Sequence, residues 1–138
     1  MNVLFDTDAL IEHLRGNEDV KDFIDSVGGE EKIIISAVTY SEVLLFAKDK
    51  VHLNRLKKVL AELILLDVNE SVSELFRQNM DQYSLSHRPS LPDMFNAAFS
   101  KYYDIDFFTL NIADYTFIKD LKLIRHTIKP LPRQKGFW

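Results

Sequence analysis

The sequence predicts an α/β fold, a central parallel β-sheet of about four to five strands sandwiched by helices. Three observations lead there. Short apolar runs recur at Val3–Phe5, Ile33–Ile35, Ile64–Val68 and around Phe107. Segments of helical length separate them, a pattern that calls for parallel pairing through right-handed crossovers. An acid follows where an apolar strand meets a helix start, first at Asp6 and again in the regions of Glu42, Asp93 and Asp114. In open α/β sheets, ligands bind at the carboxyl ends of the strands, so chemistry is expected at that edge.

The elements follow in order. Asn2–Phe5 is the first strand. Helices cover Asp8–Arg15, stopped by Gly16, and Glu18–Val27, after which Gly28-Gly29 breaks the chain. Lys32–Ile35 is a short buried-type strand. Ser36 is an N-cap candidate for a helix reaching Lys48, because a serine oxygen accepts from the free N–H groups of a first turn. Helix then spans Val51 to Leu63, strand Ile64–Val68, and helix Glu70 to Ser84. A polar connection, Leu85-Ser86-His87-Arg88-Pro89-Ser90, leads to a helix over Leu91–Tyr103. Ile105–Thr109 is a strand, a short helix starts near Ile112, and Leu121–Ile124 is the last strand.

No repeat, low-complexity stretch or linker interrupts the chain, so residues 1–138 are expected to form one domain. Its core would be residues 1–124, followed by a basic tail over residues 125–138. Prolines 130 and 132 make that tail irregular and place it on the surface.

Composition narrows the function. The chain is 46% hydrophobic and 28% charged, enough apolar material for a real core. It has no cysteine, which excludes disulfides, thiolate catalysis and cysteine-based metal sites. Its four histidines are scattered, and its four glycines form no phosphate-wrapping loop. No apolar run suits a membrane span, and the N-terminus lacks a signal-peptide pattern, so a cytoplasmic location without membrane contact is expected. The net charge of −4 is uneven. Residues 1–31 hold nine acids and two bases, whereas the tail holds Arg125, Lys129, Arg133 and Lys135 and no acid. Clustered carboxylates bind divalent cations, and a bound cation inverts the local sign, so a phosphodiester substrate is compatible with an acidic chain.

Each acid has a simple local reading. Asp6 or Asp8 could cap the first helix. Thr39-Tyr40-Ser41-Glu42 and Ser90-Leu91-Pro92-Asp93 match the capping-box spacing, and Asn111-Ile112-Ala113-Asp114 is a looser version. Together the acids say more. Helix starts of a parallel sheet share one edge, so several carboxylates would converge there and repel. A hard divalent cation, Mg²⁺ or Mn²⁺, resolves that conflict through oxygen ligands. It also activates water and stabilises charge developing on a phosphoryl group, the requirements of phosphodiester hydrolysis.

Four segments together resemble the PIN-domain family, most of all its VapC-type ribonuclease toxins of toxin–antitoxin pairs. They are Asp6-Thr7-Asp8-Ala9-Leu10-Ile11 with Leu14-Arg15-Gly16, Ile35-Ser36 with Thr39 and Glu42, Leu91-Pro92-Asp93 with Asn96-Ala97-Ala98, and Thr109-Leu110-Asn111 with Asp114-Tyr115. The likeness runs from Asn2 to about Ile124. It implies a metal-holding triad of Asp6, Glu42 and Asp93, with Asp114 as the fourth acid. It also implies that Thr7, Thr109 and Asn111 orient the carboxylates or the attacking water. Asp8 falls where the family has Asn or Asp. Ile112-Ala113 departs from the family, which often has a basic residue between Asn and Asp. The resemblance further implies an RNA substrate, a cognate antitoxin, a homodimer and a Mg²⁺ or Mn²⁺ cofactor.

Two alternatives differ in chemistry. A haloacid-dehalogenase-like phosphatase would use Asp6 as nucleophile and Asp8 as acid/base, but Leu10 stands where a small or β-branched residue is expected. A non-catalytic PIN-like module would bind RNA or protein. Among other features, Lys48, Lys50, Arg55, Lys57 and Lys58 read as a solvated face or as a phosphate-contacting one. Arg15 and Arg88 could reach the site mouth. Phe95, Phe99, Tyr102, Tyr103, Phe107 and Phe108 read as core or a dimer face. Leu10, Leu14, Phe23 and Val27 read as core or as a groove for an antitoxin helix.

Overall fold

The computed structural model describes residues 1–132. Four strands form one sheet: β1 (Val3–Phe5), β2 (Ile33–Ser36), β3 (Ile64–Leu66) and β4 (Asp106–Phe108). Their order is β3-β2-β1-β4, and every pairing is parallel. Leu4 stands in register with Ile34 on one side and Phe107 on the other. All the strands therefore point their carboxyl ends at one edge. The backbone N–H of Asp6 continues the β1–β4 ladder to Phe108 O at 2.9 Å.

Six helices cover the two faces. These are α1 (Thr7–Leu14), α2 (Glu18–Val27), α3 (Ala37–Leu44), α4 (Lys50–Ala61), α5 (Glu70–His87) and α6 (Leu91–Tyr103). Alternation along the strands divides the core. Val3, Phe5, Ile33, Ile35 and Phe108 face Leu10, Val20, Ile24, Val43, Leu56 and Leu60 of α1–α4. Leu4, Ile34 and Phe107 face Val72, Tyr83, Met94, Ala97 and Phe99 of α5 and α6. Because both faces are buried, β1 and β2 read as continuous apolar runs without a polar alternate. The edge strand β3 differs, with Ile64 and Leu65 exposed.

Several boundaries moved from their expected places. α3 ends at Leu44 instead of Lys48, and Asp49 starts α4 anew by accepting from His52 N at 2.8 Å. α5 runs on through Leu85, Ser86 and His87, and Arg88 closes it in the left-handed region at φ 48°. The expected helix near Ile112 is a single 3-10 turn, Ile112–Asp114. The expected strand at Leu121–Ile124 is one bridge between Leu123 and Phe107. Tyr102 and Tyr103 are exposed on the last turn of α6, whereas Phe99, Phe107 and Phe108 are core. Leu10 is buried in the core, and Leu14, Phe23 and Val27 are half-buried and pack against the same core cluster. The basic run around α4 is exposed.

Candidate active site

At the carboxyl edge of the sheet lies an open cleft of about 390 Å³. Asp6, Thr7, Asp8, Glu42, Asp93 and Asn111 line it, alongside Ile11, Glu12, Phe46, Leu110 and Pro130. Different elements deliver the acids. Asp6 follows β1 directly and caps α1, its side chain accepting from Thr7 N at 2.9 Å. Asp8 lies in the first turn of α1, and its Oδ1 accepts from Leu110 N at 3.3 Å. Asp93 lies in the first turn of α6, where its N–H donates to the Ser90 cap. Capping and chemistry are thus compatible at Asp6 and Asp93.

Glu42 arrives differently. Ser36 is the cap of α3, accepting from Thr39 N at 3.1 Å, so the Thr39–Glu42 capping box does not form. Glu42 instead sits late in α3, one turn beyond Thr39 on the same face. The Thr7 hydroxyl donates to Glu42 Oε1 at 2.6 Å and lies 3.2 Å from Thr39 Oγ1. Asp114 is separated from this cleft. It lines a neighbouring one, of about 360 Å³, with His87, Arg88, Ser90, Phe117 and Asp93. Asp93 borders both clefts, so three of the four expected ligands share one cleft and the fourth lines the neighbouring one.

Asp6 is the hub. Its Oδ1 accepts from Thr7 N and from Asn96 Nδ2 at 3.2 Å; its Oδ2 accepts from Thr109 Oγ1 at 2.8 Å and Tyr115 OH at 2.9 Å. Asn96 is fully buried, donates also to Thr39 Oγ1 and accepts from Ser36 Oγ at 2.6 Å. Thr109 is buried, and the N–H of Asn111 donates to its hydroxyl at 3.1 Å. Asn111 thus joins the network through its backbone. The tail closes the opposite rim. Buried Glu12 accepts from Leu131 N, Asn17 Nδ2 and Arg15, which also donates to Leu131 O and Pro132 O. Arg15 thereby holds the tail, whereas Arg88 lines the second cleft. Arg133 and Lys135 lie outside the described residues.

The sequence model of the PIN domain matches residues 3–115. The chain belongs to the PIN-domain family. Solved structures share the fold of this PIN domain. A toxin–antitoxin complex from Klebsiella pneumoniae aligns with a TM-score of 0.74 at 21% identity, over 90% of this chain and 97% of that one. FitAcB from Neisseria gonorrhoeae gives 0.71 at 24% identity, over 89% and 96%. VapBC-1 from nontypeable Haemophilus influenzae gives 0.74 at 18% identity, over 90% and 97%. Comparison with curated proteins gives no match. The family match supports neither the phosphatase alternative nor its use of Asp6 as nucleophile.

The electrostatics of this PIN-domain site follow from burial. Asp6 is pushed up to about 7, first by burial and then by the charge of Asp8, while Thr109 and Tyr115 pull it down and Asp93 adds to the rise. Asp8 and Asp93 are also raised, in both cases chiefly by burial. Tyr115 keeps its proton, because burial and the flanking carboxylates push its phenol far up. One phenolic proton cannot serve two carboxylates at 2.8 and 2.9 Å, so both contacts are hydrogen bonds when a carboxyl brings a proton of its own. Among the described residues, no three acids or histidines are gathered into a metal-holding group. The carboxylates are tied through hydroxyls instead. The donor set nevertheless fits a hard cation, since all the donors are oxygens, and a cation relieves the repulsion by Asp8 and Asp93 that adds to the effect of burial on Asp6.

The sequence alone assigned no role to Asn96, Tyr115 or Glu12, and offered Ser36 and Thr39 only as helix-capping residues. Asn96 had a usable signal, a polar side chain three residues after Asp93 on an otherwise apolar helix face. Tyr115 had none, because its hydroxyl meets Asp6 across 109 residues of chain. No helix among the described residues is long and apolar enough to cross a membrane.

Proposed function

We propose that this chain is a divalent-metal-dependent endoribonuclease and the toxin of a toxin–antitoxin pair. The observation that carries this reading is the shared cleft of Asp6, Glu42 and Asp93, with Asp8, at the carboxyl edge of a PIN domain. Asp6, Glu42 and Asp93 would hold Mg²⁺ or Mn²⁺, and Asp114 would act from beyond Asp93. When bound, the cation supplies an activated water and neutralises charge on the scissile phosphate.

The chain's own groups do the rest. Thr109 and Asn96 fix the rotation of the Asp6 carboxylate, and Thr7 fixes Glu42. Thr109 Oγ1 also lies 3.4 Å from Asp8 Oδ1, so a turn of its hydroxyl frees a lone pair of Asp6 for a cation. Ile11, Phe46, Leu110 and Pro130 form an apolar rim that suits the sugar and base faces of a single strand. Structures of similar fold are of toxin–antitoxin complexes, which supports a cognate antitoxin for this chain. The family resemblance supports a homodimer.

The test is cleavage of single-stranded RNA by purified protein with Mn²⁺ or with a chelator. The reading expects metal-dependent cutting that Asp6→Asn removes. Wild-type protein that neither binds Mn²⁺ nor cuts RNA would favour the non-catalytic module.

A further inference from the structure

We propose that Tyr115 is a positioning residue that holds Asp6 and Asp93 together as a pair of cation ligands, acting from beneath the cleft. The inference rests on the metal-dependent reading above. Asp6 and Asp93 come from separate elements, the end of β1 and the first turn of α6. The hydroxyl of Tyr115 lies 2.9 Å from Asp6 Oδ2 and 2.8 Å from Asp93 Oδ1.

Tyr115 is not a wall of either cleft. It is 1% exposed and approaches from the core, so the cleft-facing side of the two carboxylates stays available. Its ring is held edge-on against Phe107, with centroids 4.8 Å apart. It directly follows the 3-10 turn that carries Asp114, so the turn sets both residues at once. Two carboxylates left alone at this depth would repel and rotate apart. A neutral hydroxyl anchored by a rigid ring donates its one proton to either carboxylate and keeps the nearest oxygen of each at a fixed distance. Residues that orient ligands in this way change metal affinity by about 10–100-fold when removed.

Tyr115→Phe keeps the ring and removes only the hydroxyl. Calorimetric titration of the chelator-treated variant with MnCl₂ is expected to give at least about tenfold weaker binding than wild type. Phe107→Leu loosens the ring's support but keeps the hydroxyl, and is expected to weaken Mn²⁺ less than Tyr115→Phe does. Mn²⁺ affinity of Tyr115→Phe within about twofold of wild type, or an equal loss in Phe107→Leu, would overturn the inference while leaving the metal-dependent reading standing. Absence of any Mn²⁺ binding by wild type would overturn both. If Tyr115→Phe gives no cooperative melt, wild-type protein carrying 3-fluorotyrosine decides instead. Saturating Mg²⁺ must shift one ¹⁹F resonance, and an unchanged spectrum overturns the inference.

Discussion

At the scale of single residues, Asp6 matters most, because it is buried and is the best hydrogen-bonded acid of the cleft. In the substitution Asp6→Asn, the remaining oxygen keeps Thr7 N–H and Asn96, while the new NH₂ donates to the Thr109 and Tyr115 hydroxyls, which can turn to accept. The variant is therefore expected to melt within a few degrees of wild type while losing RNA cleavage by at least about 100-fold; a thermal melt and a cleavage time course check the two halves. The same residue sets a pH dependence. Its carboxyl rises from 3.8 unfolded to about 7 folded, so between those values the folded chain holds a proton that the unfolded chain has released. Stability of the metal-free protein should then fall as pH rises from about 4 to 7 and level off above, the sign linkage requires when the native state binds more protons. Glu12 works in a separate window. Burial raises it, but hydrogen bonds from Asn17, Leu131 N–H and Arg15 outweigh that and lower it, so its contribution is lost only in more acid solution. Melts in chelator at pH 5.5 and 7.5 should show the decline, and saturating Mg²⁺ should abolish or reverse it.

Among the elements, α6 carries the most. Its first turn presents Asp93, and one turn later Asn96 locks Asp6 to Ser36 and Thr39. Asn96→Ala should cost about 1–3 kcal/mol, the usual range when buried donors and acceptors lose their partner; urea unfolding measures it. Much of this level was legible. Ser36, Ser90 and the Gly28-Gly29 break marked real helix ends, since caps act through local backbone geometry that sequence states directly. Glu42 was legible as a site residue and misread as a helix start, because the Thr39–Glu42 spacing also arises one turn apart on any helix face. The end of α5 and the reduction of Leu121–Ile124 to one bridge were not legible, as both depend on tertiary packing around Phe117 and Phe107.

For the molecule as a whole, apolar runs without polar alternates correctly implied a parallel sheet covered on both faces, and with it the edge where the acids meet. The hydroxyl network beneath them was not legible, because Tyr115, Thr109 and Asn96 reach Asp6 from segments about 90 or more residues away. The fold and its acids belong together: three helices begin beside one sheet edge, and the charge gathered there asks for a cation. Bound only by the native state, Mg²⁺ at 100 times its Kd should stabilise the protein by about 2.7 kcal/mol. The most direct test of the account is cleavage of single-stranded RNA in Mn²⁺ by wild type and Asp6→Asn, side by side. The account predicts cutting by wild type that a chelator stops and that Asp6→Asn lacks; equal cutting by the two proteins would contradict it.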